Sequence, residues 1–165
     1  MPHLAALFML AASLCFCVAS AFSGDFEISN VIASSPFQAD PTSTQSTLIS
    51  FDFQDQDTPE LGSNRCGVEW AVGLSPPVMW QNTCDNSTFG VRVISWYGVQ
   101  NFSLDLKHTY IDESVGQYPY NVLTKFAPLN VTYPGTKHYQ CNLSQAECGS
   151  YTGAIILANV TRAIA

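Results

Sequence analysis

The side chains that could do chemistry are His108 and His138, a run of carboxylates at Asp52, Asp55, Asp57 and Glu60, and the cysteines. A histidine base needs a carboxylate to orient it, and Asp112 lies four residues beyond His108. Paired carboxylates could serve glycoside hydrolysis, and an oxygen-rich run could hold calcium. The Asp52–Glu60 run lacks the glycine and the terminal glutamate of an EF-hand loop, so it reads as a solvated turn, as does Asp112-Glu113. No GxSxG elbow and no HExxH helix occurs, and no glycine-rich phosphate cradle. His108 continues the alternating face of Phe102, Leu104 and Leu106, which makes it an interior histidine near a strand end. His138 precedes Cys141 in a loop and has no evident partner. These observations point away from an enzyme; a hydrolase using His108 or the Asp52–Glu60 carboxylates is the alternative they leave. No metal and no cofactor is implied.

The cysteines depend on the compartment. Leu4 to Val18 is an almost unbroken apolar run, and Ala19-Ser20-Ala21 follows as a small-residue cleavage motif. Residues 1–21 therefore read as a secretory signal peptide and 22–165 as one mature domain beginning at Phe22. The run is shorter than the roughly twenty residues that span a bilayer, and no later segment replaces it. Four of the six cysteines remain after such cleavage: Cys66, Cys84, Cys141 and Cys148. An even number behind a signal peptide reads as two disulfides, for which three connectivities exist. The local pairs Cys66–Cys84 and Cys141–Cys148 are preferred. Zinc ligation is disfavoured because no CxxC-like spacing occurs. Five sequons, at Asn86, Asn101, Asn130, Asn142 and Asn159, fit a glycoprotein of the eukaryotic secretory route. The net charge of −7 removes nucleic acid and anionic membrane surfaces from the set of partners.

The elements that must position these residues are strands. Period-two alternation marks Phe26/Ile28, Ile49/Phe51/Phe53, Val68/Trp70/Val72, Phe89/Val91/Val93 and Phe102/Leu104/Leu106, with further strands at Tyr120–Phe126, Leu129–Tyr133 and Ala154–Val160. Pro76-Pro77, Asp85-Asn86, Pro128 and Pro134-Gly135 mark turns, and Ser34–Thr47 marks a loop. No helical stripe is sustained. The fold class is all-β: a single antiparallel barrel or sandwich. Trp70 and Trp80, beside the first cysteine pair, are expected in the core. Asn101 should share the solvent face with Ser103, Asp105 and Lys107.

Phe51-Asp52-Phe53, Cys66 with its strand, Met79-Trp80 ahead of Cys84, the Cys141…Cys148 pair and the closing Gly153-Ala-Ile-Ile-Leu resemble the Alternaria major allergen family of small secreted fungal proteins. The resemblance covers most of Phe26 to Ala165. It implies a β-barrel, two internal disulfides in the same local pairs, and no catalytic activity. It also implies an allergen, effector or elicitor that binds an extracellular host protein, with plant defence proteins of the thaumatin-like kind proposed. The family's intersubunit cysteine has no counterpart between Phe22 and Arg65, so a covalent dimer is not expected. The loops Ser34–Thr47, Asp55–Asn64 and Tyr110–Tyr118 are candidate recognition surfaces, with Tyr110, Tyr118 and Tyr120 as anchors. A small molecule or glycan bound at Trp96-Tyr97 is the alternative ligand.

Overall fold

The computed structural model describes residues 24–165; the expected signal peptide and the expected mature start at Phe22 lie outside them. Within the described residues ten strands form two antiparallel sheets. The first sheet contains β1 (Phe26–Ser34), β2 (Thr47–Asp55), β3 (Asn64–Trp70), β7 (Tyr139–Asn142), β8 (Glu147–Ser150) and β9 (Ile156–Ala158). Its order is β3-β2-β1-β8-β7, with β9 sharing the β8 side of β1. The second sheet runs β10-β6-β5-β4, from β10 (Arg162–Ile164), β6 (Val122–Thr132), β5 (Asn101–Ile111) and β4 (Phe89–Trp96). The sheets do not close into a barrel, and the architecture is a sandwich. Among the described residues helix is confined to one turn, α1 (Pro36–Ala39), and a 3-10 turn at Pro59–Leu61.

Alternation dictates the core. Ile49, Phe51 and Phe53 of β2 face Phe89, Val91 and Val93 of β4 and Phe102, Leu104 and Leu106 of β5, and all are buried. Phe53 packs between Phe26, with ring centres 4.7 Å apart, and Phe89, at 4.8 Å and edge-on. Such pairs add about 0.5–1.5 kcal/mol each beyond their burial. Asn101 is exposed and alternates with these inward residues, as the sequon requires.

Three connections cross between the sheets, after β3, β6 and β9. Between β3 and β4 the chain forms a strap. Gln81 pairs with Val91 of the second sheet, while the Asp85 amide donates to the Arg65 carbonyl of the first. The Cys66–Cys84 disulfide locks this strap to β3. The second disulfide, Cys141–Cys148, spans the β7–β8 hairpin at directly opposed positions. Both bonds are the local pairs expected from the sequence.

Four sequence expectations need correction. The strand through Val68 ends at Trp70, and Val72 lies in the following turn. The strands expected on either side of Pro128 are one strand, β6, with Pro128 opposite Asp105. Pro128 is tolerated because β10 covers only Thr124–Phe126, so β6 is an edge there and needs no donor on that side. Trp80 is only half-buried. It lies on the outer face of the second sheet, with its ring 5.9 Å from Phe126 and beneath Arg92 and Lys107. Finally, Ser34–Thr47 is not irregular throughout, since Pro36 at its first turn starts α1.

Candidate functional site

Chemistry-bearing residues gather at opposite ends of the sandwich. At one end the β1–β2 loop, the turn after β3 and the β4–β5 turn surround a groove of about 640 Å³. Phe37, Leu74, Trp96 and Tyr97 supply its apolar surface, and Ser35, Gln38 and Thr47 its polar groups. The floor is rigid. Trp96 meets Trp70 edge-on at 5.0 Å, and Trp70 is buried. The Ser35 and Thr47 hydroxyls are hydrogen-bonded at 2.9 Å. Gln38 accepts from the Val99 amide at 3.3 Å, tying α1 to the β4–β5 turn. That contact needs Gly98: its φ is 117°, and a Cβ there would lie 2.7 Å from the Gln38 amide nitrogen. Tyr97 projects from this turn, 77% exposed. Trp96 and Tyr97 are thus brought together with Phe37 and Leu74.

At the other end three inward-facing rows each finish in an ionisable residue. Asp55 follows Ile49, Phe51 and Phe53 on β2. His108 follows Phe102, Leu104 and Leu106 on β5. Lys125 shares the inner face of β6 with Ala127, Leu129 and Val131. All three are sealed from solvent, with side-chain exposures of 0%, 0% and 1%. Asp55 Oδ2 accepts from His108 Nδ1 at 2.8 Å, and Oδ1 accepts from Lys125 Nζ at 2.7 Å. Lys125 also donates to Asp57 Oδ2 at 2.8 Å and to the Gly24 carbonyl at 3.2 Å, so its three protons have three acceptors. The Tyr110 hydroxyl reaches Asp57 at 3.4 Å. His108 stacks on Phe89 at 3.9 Å, and its Nε2 is buried without a hydrogen-bond partner. The proton therefore sits on Nδ1, facing Asp55.

Burial alone would raise the Asp55 carboxyl, but donation by His108, Lys125 and the Asp57 amide outweighs it and holds the group below the usual carboxylate range. Burial, and then the neighbouring charge of Asp57, push the Tyr110 phenol up. Asp55 overturns the reading of the Asp52–Glu60 run as a solvated turn: the side chain continues an inward row instead of leaving it. The partner expected for His108 is also corrected. Asp112 is turned away and accepts from the Ser114 amide and hydroxyl at 2.9 and 2.6 Å. Asp52 lies on the outer face, bonded to Arg65 and Asn30. Lys125 was missed, although its place in the β6 alternation was a signal.

The remaining candidate residues scatter. Tyr118 and Tyr120 are 81% and 76% exposed in the β5–β6 loop, whereas Tyr110 is committed to the buried network. His138 sits in a left-handed conformation with its ring near Tyr151. Of the sequon residues Asn101, Asn130, Asn142 and Asn159 are exposed. Asn86 is half-buried, and its side-chain oxygen accepts from the Thr88 amide and hydroxyl at 3.0 and 2.9 Å. No helix among the described residues is long and apolar enough to cross a membrane. No protein-family model, curated protein or solved structure matches the chain.

Proposed function

We propose that this is a non-enzymatic binding protein of the extracellular space, and that the groove end of the sandwich is its recognition surface. The observation carrying this reading is the groove itself. Aromatic side chains and a few fixed polar groups converge on a volume typical of binding sites, on a scaffold locked by two disulfides. Two disulfides and five sequons support secretion through an oxidising compartment, with glycans at the exposed sequons. Against a hydrolase stands the burial of His108: a base must come within hydrogen-bond reach of substrate, and this one is sealed under Phe89 and Tyr110.

The partner is an extracellular host protein, the role that the allergen-family resemblance implies, with an apolar or aromatic side chain of that partner seated between Leu74 and Tyr97. A pull-down from plant extracellular fluid tests this. The wild-type protein retains a saturable partner that the Leu74→Ala/Tyr97→Ala variant loses. Recovery of no saturable partner sinks the reading, and equal retention by the variant moves the surface to Tyr118 and Tyr120.

A second reading is favoured by the lining of the groove, which contains no carboxylate, ammonium or guanidinium. A neutral glycan or flat small molecule fits such a surface. Titration of neutral oligosaccharides and phenolic compounds, followed by tryptophan fluorescence, would show saturation sensitive to Tyr97→Ala.

A further inference from the structure

From the geometry of the sealed end we infer that Lys125 and Asp55 become joined by an intramolecular isopeptide bond, made by the folded chain itself. The two side chains come from different sheets, so the bond would tie β2 to β6 through the core. It concerns a different end of the molecule from the groove and does not rest on the binding proposal.

Several observations place a reaction here and not at the other ion pairs. Arg65–Asp52 and Arg92–Asp105 are partly exposed and use guanidinium groups, which are never free nucleophiles. Lys125 brings a primary amine to 2.7 Å from a carboxyl oxygen, with both groups sealed from water. One side of the amine is aromatic: Nζ lies 5.2 Å from the Phe26 ring, against which Phe53 packs. Sealing both groups from solvent leaves no bulk water to reverse condensation once the bond has formed. Fixing the two groups in contact supplies an effective concentration of about 10⁵–10⁸ M for well-oriented partners.

The proton relay is present. Asp55 is ionised at rest, and the proton it needs comes from Lys125 across the 2.7 Å hydrogen bond, with no change in net charge. This leaves a neutral amine and a carboxylic acid protonated on Oδ1. The amine lone pair attacks Cγ, and the carbonyl electrons move to Oδ2, where His108 Nδ1–H donates to the developing oxyanion. Asp57, 2.8 Å from Nζ, takes a proton from the attacking nitrogen and passes it to the Oδ1 hydroxyl. The Cγ–Oδ1 bond breaks, water leaves, Oδ2 returns to a carbonyl, and Asp57 is again a carboxylate. One Nζ–Cγ bond has formed and one water has been lost, with no oxidant, metal or cofactor consumed. His108 and Asp57 act by placing and moving protons, each on an atom already within hydrogen-bond distance.

The test is a peptide map of the full-length protein secreted from a eukaryotic host, after reduction, alkylation and removal of N-glycans. Trypsin should fail to cut after Lys125. The peptide bearing Asp55 should be recovered joined to the one bearing Lys125, lighter by one water than their sum, with fragmentation placing the link at those two residues. Asp57→Asn keeps the size and hydrogen-bonding capacity of the side chain but removes the proton acceptor. With folding checked by circular dichroism, this variant should yield mostly unlinked peptides. Recovery of free Asp55 and Lys125 peptides from the wild type overturns the bond whatever any variant does. Loss of water mapped elsewhere, such as a cyclised aspartate, overturns it equally. A link of undiminished yield in Asp57→Asn overturns the relay assigned to that residue.

Discussion

Asp55, His108 and Lys125 show what single positions can and cannot disclose. Each extends a period-two apolar row, so its inward direction was legible, and for His108 it was read. What alternation cannot reveal is which inward polar residue meets which. The rows of β2, β5 and β6 converge only once the sheets face each other, and Asp55 and His108 are 53 residues apart. The pH dependence belongs to this scale. Asp55 is held below its unfolded pKa, so in a chain lacking the amide the network adds stability above the unfolded carboxylate range. That stability is lost as pH falls through the folded value. Asp57→Asn should therefore show an acid-side loss of stability in urea melts that the linked wild type does not. Asp55→Ala goes further. It leaves buried His108 Nδ1 without its acceptor and Lys125 with only Asp57 and the Gly24 carbonyl, and should cost about 3–5 kcal/mol relative to Asp57→Asn.

At the scale of elements the alternating strands were read except for the end of β3 at Trp70 and the unbroken run of β6 through Pro128, while the short pieces beside them were not. β7, β8 and β10 are three or four residues each, too short to carry a period. They exist because β1 offers an edge to β8, β6 offers one to β10, and β8 in turn offers one to β7. β1 itself changes partner along one side, from β9 to β8, at a bulge where Asn30 takes a φ of 48°. The Val31 carbonyl then points at Gly149 of β8. A Cβ on Gly149 would stand 2.9 Å from that oxygen, and a backbone atom cannot swing aside. Gly149→Ala should cost about 1–3 kcal/mol, as overpacking does. Gly90→Ala is the control. Its close contacts would be with the Lys107 side chain, 2.5 Å from Cε, and that chain can move; the Gln81 carbonyl, at 3.4 Å, is at ordinary contact distance. Gly90→Ala should hold stability within about 1 kcal/mol, on the scale of tolerated core changes, but alter Trp80 fluorescence by lifting Lys107 off the indole. Trp80 was misplaced for a related reason: the strap between β3 and β4 runs along the sheet edges, so its side chains need not enter the core.

For the whole molecule, the consequence of this architecture is a division of labour between two ends. The groove was visible in the sequence as two separate pieces, Trp96-Tyr97 at a strand end and the Ser34–Thr47 loop, and not as one site, because its walls come from three separate loops. The sealed network lies six residues further along β5, from Phe102 to His108, or roughly 20 Å at strand rise. It shares no side chain with the groove. Nothing couples the ends except the rigid strands between them, and stability effects of distant sites add within about 0.3–0.5 kcal/mol. Tyr97→Ala, exposed at the groove, should weaken ligand binding and leave the unfolding free energy nearly unchanged. Asp57→Asn should lower stability and leave groove binding unchanged. The double variant should then show the sum of both stability effects in denaturant melts and only the Tyr97 effect in binding. A coupling above about 0.5 kcal/mol would mean that the ends communicate through the core. The strands would then act as a transmitting element, and the covalent tie at one end would also set the shape of the groove at the other.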